Sequence, residues 1–156
     1  MRVDAVRQFL AEHGLADAYR EFSVSSATVE LAAKAIGCEP GRIAKSLTFI
    51  AKTGPMLIVV MGTARIDNQK FKRLFGEKAR FPRPEDVERL FGHPVGGVCP
   101  FAVLPGVRMY LDESLRAFDP VYPAAGAANN AARISLADLE RATGAGWVDV
   151  CRVPDA

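Results

Sequence analysis

Ser46-Leu47-Thr48-Phe49-Ile50-Ala51-Lys52, then Thr53-Gly54-Pro55, then Met56-Leu57-Ile58-Val59-Val60-Met61: these sixteen residues carry the strongest structural signal in the chain. Two apolar runs separated by three turn-forming residues predict a β-hairpin with a short loop. The second run is apolar throughout. From Pro55 to Gly62 it is strand-sized, far short of the roughly 20 apolar residues a membrane-spanning helix needs.

The flanking sequence supplies helices and further strands. Upstream, Val3, Val6, Phe9 and Leu10 share one helical stripe within residues 3–12, and Gly14 follows as a stop. Residues 19–24 predict a short strand. Ser25, Ser26 and Thr28 offer N-caps to a helix that aligns Val29, Ala32, Ala33 and Ile36 and closes at Gly37. Pro40-Gly41 predicts a turn or one tight helical turn. Downstream, Asp67 caps a helix with Phe71, Leu74 and Phe75 inward and Lys70, Lys72 and Arg73 outward; Pro84, Glu85 and Asp86 open another through Val87, Leu90 and Phe91. Strands are expected at 107–111, from Val121-Tyr122 toward Ala125, and at 147–150. Ser135 with Asp138 starts a last helix that runs to Thr143. No linker or repeat interrupts this order. It predicts one α+β domain over residues 1–156, a curved, barrel-like mixed sheet wrapped by helices.

Of the 156 residues, 49% are apolar and 24% charged, which excludes a disordered or fibrous chain. The N-terminus, with Asp4 and Glu12 among its apolar residues, lacks a secretory pattern. Cys38, Cys99 and Cys151 are too scattered for a disulfide framework or a zinc site. The expectation is a soluble, cytoplasmic protein with no membrane attachment, metal or cofactor. A net charge of +2 conceals an asymmetry: between Arg42 and Arg83 ten basic residues meet only Asp67 and Glu77. Such a segment suits either a solvated face or a negatively charged partner.

Nucleophile elbows, P-loops, dinucleotide fingerprints and zinc-binding helices are absent from the sequence. Two glycine-containing loops stand out. In Gly92-His93-Pro94-Val95-Gly96-Gly97-Val98-Cys99-Pro100-Phe101, the backbone can approach a ligand closely or form an oxyanion hollow, or the segment is a tight structural turn. Cys99 with His93 also invites a thiol-nucleophile reading. In Ala124-Ala125-Gly126-Ala127-Ala128-Asn129-Asn130, small side chains leave room for a ligand and two amides offer hydrogen bonds; an Asn-rich turn is the plainer reading.

Gly41-Arg42-Ile43-Ala44-Lys45-Ser46-Leu47, the 96–101 loop, Tyr110-Leu111-Asp112 and Ala124-Ala125-Gly126 together resemble the YbaK/prolyl-tRNA-synthetase-associated editing domain. The resemblance runs from about Ser25 to Val150 and implies the editing-domain fold. It implies a trans-editing deacylase that hydrolyses the ester of mischarged proline tRNA, with alanine first and cysteine or serine next. The need for such a site is physical, because a pocket rejects a smaller amino acid by only about 1–3 kcal/mol per methylene. By position, the resemblance gives Lys45 the role of holding the phosphate or ribose of the terminal adenosine. It gives Gly96, Gly97, Val98, Cys99 and Pro100 that of positioning water and stabilising the oxyanion.

Ser46, His93, Asp112, Gly126 and Asn129 become substrate-binding positions. Arg65, Lys70, Lys72, Arg73, Lys78 and Arg80 become contacts to the tRNA backbone. Some members place a histidine after the Ala-Gly pair, where this chain has Asn129 and Asn130. The expected partners are the acceptor end of mischarged proline tRNA and prolyl-tRNA synthetase, with the protein a monomer or weak dimer. The alternatives are a non-catalytic module binding the tRNA 3′ end, and a Cys99 thiol hydrolase.

Overall fold

The computed structural model describes residues 2–154. The hairpin forms from β2 (Ile43–Ala51) and β3 (Gly54–Met61), antiparallel in register from Ala44 opposite Met61 to Ala51 opposite Gly54. Strand β2 begins three residues before Ser46 because the single 3-10 turn Pro40–Arg42 ends directly at Ile43. Beside the hairpin lie β5 (Arg108–Asp112) against β3, β8 (Gly146–Val148) against β5, and β6 (Tyr122–Pro123) against β2, all parallel. The order β6-β2-β3-β5-β8 makes a curved half-barrel sheet in a mixed α+β domain. Two antiparallel ribbons flank it: β1 (Tyr19–Glu21) with β7 (Asn130–Ala132), and β4 (Arg65–Ile66) with β9 (Cys151–Arg152).

Strand β3 is covered on both faces, as its unbroken apolar sequence requires. Leu57 and Val59 pack with Ala44, Leu111, Phe91 and Phe101 on one side; Met56, Ile58 and Val60 pack with Phe49, Phe71 and Val150 on the other. Each such side chain contributes about 1.5–3 kcal/mol on burial, so the hairpin anchors the molecule.

Five helices wrap the sheet: α1 (Arg2–Glu12), α2 (Val29–Ile36), α3 (Asn68–Phe75), α4 (Pro84–Phe91) and α5 (Leu136–Thr143). Thr28, Asp67 and Ser135 cap α2, α3 and α5 through backbone N–H groups of Leu31, of Gln69 and Lys70, and of Asp138. Leu74 departs from the expected inward stripe and is 52% exposed. Phe71 and Phe75, one turn apart with ring centroids at 4.8 Å, already cover that part of the sheet.

Other strands are shorter than the sequence suggests. Strand β1 stops at Glu21. Strand β6 stops at Pro123, which has no N–H to continue a ladder, instead of running toward Ala125. Strand β8 stops at Val148 because the Val150 N–H donates to Asp112 Oδ1 (2.8 Å) rather than to a neighbouring strand. No described helix is long and apolar enough to cross a membrane.

Candidate functional site

Strand β6 covers only Ile43 and Ala44 of the outer edge of β2. Farther along that edge, the Ile50 N–H donates to the Arg80 carbonyl (2.8 Å) and ties residues 80–84 alongside. Between these two covers a cavity of about 340 Å³ opens along Lys45, Ser46 and Thr48. Its other walls are the start of α2 (Ser26, Ala27, Thr28, Val29 and Ala32), the Pro82, Pro84 and Val87 segment, the loop residues Val95, Gly96 and Val98, and Tyr122, Ala124, Asn130 and Ala131. The size is that of a small-molecule site and the lining mostly apolar.

Lys45 Nζ donates to the carbonyl of Ala64 (2.6 Å). Partial burial lowers the lysine pKa below its ordinary value, and nearby Arg65 pushes the same way against Cys151 and Glu30. The turn that supplies this carbonyl is held by Ser114, whose Oγ accepts the Met61 N–H (3.1 Å). The hydroxyls of Ser26 and Ser46 are buried with no hydrogen-bond partner among the described residues. Both residues line the cavity.

The two glycine-containing loops meet. A Cβ at Gly97 would lie 2.6 Å from both Gly126 C and Ala127 N, so the glycine is required by the contact. The Gly97 N–H is itself engaged, donating to the Pro94 carbonyl (2.9 Å). Gly96 and Val98, on either side, face the cavity. Asn130, rather than Asn129, lies in the wall: its Oδ1 accepts from Ala125 N (3.1 Å) and Ala127 N (3.2 Å), and its Nδ2 donates to the Ala125 carbonyl and the Tyr19 hydroxyl. Asn129 is exposed and donates to the Phe22 carbonyl (3.4 Å). Gly126 is buried behind the loop contact.

Other expected positions stand apart from the cavity. His93 and Cys99 are fully buried in the core. His93 Nε2 lies 2.7 Å from the Phe101 carbonyl, and since a carbonyl only accepts, Nε2 carries the proton. That nitrogen, 3.5 Å from Cys99 Sγ, therefore cannot serve as a base for the thiol, which points at the same carbonyl (3.6 Å). This geometry lends the thiol-hydrolase alternative no support. Pro100 is buried beside them.

Asp112 is fully buried, accepting from Val150 N and Ser114 N (2.9 Å), and holds a chain corner. Lys70 is bound to Asp149 (3.0 Å) and to the Cys151 carbonyl, whereas Arg65, Lys72 and Arg73 are exposed. Among the described residues, no group of three His, Cys, Asp or Glu stands together as a metal site.

Sequence reasoning missed the contributions of Ser26 to Val29, Pro82, Pro84 and Tyr122. The first of these carried a signal, the cluster of three capping residues before α2. The others did not.

Residues 24–142 match the model of the aminoacyl-tRNA editing domain. The chain belongs to this family. It is 42% identical over 154 residues to the uncharacterized protein YwhH of Bacillus subtilis, covering 97% of this chain and 98% of that one. It is 29% identical over 114 residues to EbsC of Enterococcus faecalis, named as a proposed Cys-tRNA(Pro)/Cys-tRNA(Cys) deacylase, covering 69% of this chain and 70% of EbsC. A crystal structure of a proposed trans-editing enzyme for prolyl tRNA synthetase superposes with a TM-score of 0.87 at 34% identity, over 97% of both chains. The half-barrel is thus the fold of an editing domain, and the comparisons support an aminoacyl-tRNA editing function.

Proposed function

We propose that the protein is a trans-editing deacylase that hydrolyses the ester of mischarged proline tRNA, releasing alanine first and cysteine or serine next. The whole of residues 1–156 acts as one editing domain, working in the cytoplasm as a monomer or weak dimer and with prolyl-tRNA synthetase as a partner. The observation that carries this reading is the cavity along β2, lined by Lys45, by Ser26 and Ser46 with their unpaired hydroxyls, and by a glycine-containing loop. A buried hydroxyl without a partner costs about 1–3 kcal/mol, which a polar substrate in the cavity offsets.

In this reading the Lys45 ammonium holds the phosphate or ribose of the terminal adenosine, and Ser46 and Asn130 border the aminoacyl group. Backbone groups at Gly96 and Val98 orient water and receive the developing oxyanion, the Gly97 N–H being committed to its own turn. The small apolar walls suit a short side chain. The cavity lining contains no His, Asp, Glu or Cys. In this reading, as the family resemblance implies, the substrate's own ribose hydroxyl, or the thiol of a cysteine substrate, helps to activate the attacking water. The same lining also favours the second reading, a module that binds the tRNA 3′ end without hydrolysis.

Deacylation of proline tRNA charged with alanine, cysteine, serine or proline, by wild type and Lys45→Ala, separates the two. The expected result is selective release of a small amino acid, reduced about a hundredfold by the substitution, the scale of a lost charge-assisted contact. Binding without release from any species supports the non-catalytic module; release that survives Lys45→Ala removes the lysine from the mechanism.

A further inference from the structure

Four aromatic rings form a row from α3 to Phe81, the residue before Pro82. Phe75 lies 4.8 Å from Phe71, Phe71 lies 5.2 Å from Phe49, and Phe49 lies 5.2 Å from Phe81. Phe49 and Phe71 are buried and Phe75 partly so, but Phe81 is 63% exposed. Its position is nonetheless fixed. The ring rests on Phe49, and the preceding residue, Arg80, is hydrogen-bonded through its carbonyl to the edge of β2. The following residue, Pro82, is part of the cavity wall.

The surroundings are basic. Lys78 and Arg80 are exposed and form no ion pair with a described residue, and Lys72 and Arg73 are exposed on α3. A rigid, exposed ring amid free cations beside a cavity has the make-up of a single-strand nucleic-acid site, where cations track the backbone and an aromatic face receives a base. A protein partner would favour an apolar patch bordered by fewer like charges.

We propose that Phe81 is a stacking platform for an unpaired base of the tRNA 3′ strand, just before the terminal adenosine enters the cavity. The base extends the aromatic row by one member, while Lys78 and Arg80 contact the flanking phosphates. The inference rests on the tRNA reading above and adds to it a subsite that recognises the single-stranded end by its bases, without selecting their identity.

The test uses the full-length protein and two RNA hairpins at one salt concentration: an acceptor-stem hairpin with a single-stranded 3′ extension ending in CCA, and the same hairpin trimmed blunt. Phe81→Ala is expected to weaken binding of the extended hairpin about fivefold to a hundredfold and to leave the blunt hairpin unchanged. Phe81→Trp is expected to keep wild-type affinity, with indole fluorescence quenched by the extended hairpin alone. Unchanged affinity of Phe81→Ala for the extended hairpin, or an equal loss on both hairpins, overturns the platform. Because the readout is binding, it separates from the hydrolytic reading: selective loss with no deacylation by wild type removes the enzyme and keeps the platform. Deacylation with no selective loss does the reverse.

Discussion

In the 92–101 loop the imidazole of His93 and the thiol of Cys99 turn into the core, whereas on the outer edge of β2 Lys45, Ser46 and Thr48 stand along the cavity. The first region holds the more reactive residue types, and neither of them lines the cavity. The second holds an ammonium and two hydroxyls, and it borders the site. The loop's polar side chains are consumed in fixing its shape around the Phe101 carbonyl, and what it offers the cavity is backbone, at Gly96 and Val98. A residue's reactivity therefore says less about its task than the side of the chain on which it emerges.

The largest expected effect comes from forcing the two regions apart. Gly97→Val places a side chain against Gly126 and Ala127. Overpacking of this kind costs about 1–3 kcal/mol of stability, and a displacement near 1 Å at a reacting centre can cost about a hundredfold in rate. A fall in melting temperature with unchanged deacylation kinetics would show that the loop is scaffold only.

Asn130→Ala should come next. It removes the acceptor shared by the Ala125 and Ala127 N–H groups and costs about 1–3 kcal/mol, lowering the melting temperature by several degrees. Exposed Asn129→Ala should stay within about 0.5 kcal/mol, and an equal response of the two variants would blur the contrast between wall and surface. The smallest effect is expected for Cys99→Ser, with deacylation within about twofold of wild type; abolished turnover would break the comparison outright. Thiol alkylation sharpens the same point. Cys99 and Cys151 are buried, and burial beside Asp112 pushes the Cys151 thiol up to about 12, so Cys38 should react first in the folded protein. Modification of Cys99 ahead of Cys38 would count against the buried loop.

The hairpin and the helix caps were legible because their causes are local: a turn between two apolar runs, and a hydroxyl or carboxylate three residues ahead of a free N–H. The ribbons β4, β7 and β9 were not, since two or three residues such as Asn-Ala-Ala carry no periodicity and pair only because the rest of the fold delivers a partner. The cavity is assembled from six separated stretches, at Ser26, Lys45, Pro82, Gly96, Tyr122 and Asn130. Lys45, Gly96 and Val98 were reachable by resemblance. The choice of Asn130 over Asn129 was not, because it depends on the pairing with β1 of β7, which begins at Asn130. The burial of His93 and Cys99 was not legible either, as spacing alone does not reveal that a loop folds its side chains inward.

The hydrogen bond from Asn130 to Tyr19 has a consequence for where this domain can be cut. Residues 24–142 carry the recognisable pattern, yet β1, which precedes them, pairs with the strand bearing Asn130, and β8 and β9, which follow, complete the sheet edge and receive Arg65 and Ile66. A fragment trimmed to the matched stretch would leave Asn130 without the Tyr19 hydroxyl and Asp112 without the Val150 N–H. The portable unit, the piece that could be grafted into another protein and keep its cavity, is therefore larger than the stretch by which a family of this kind is spotted.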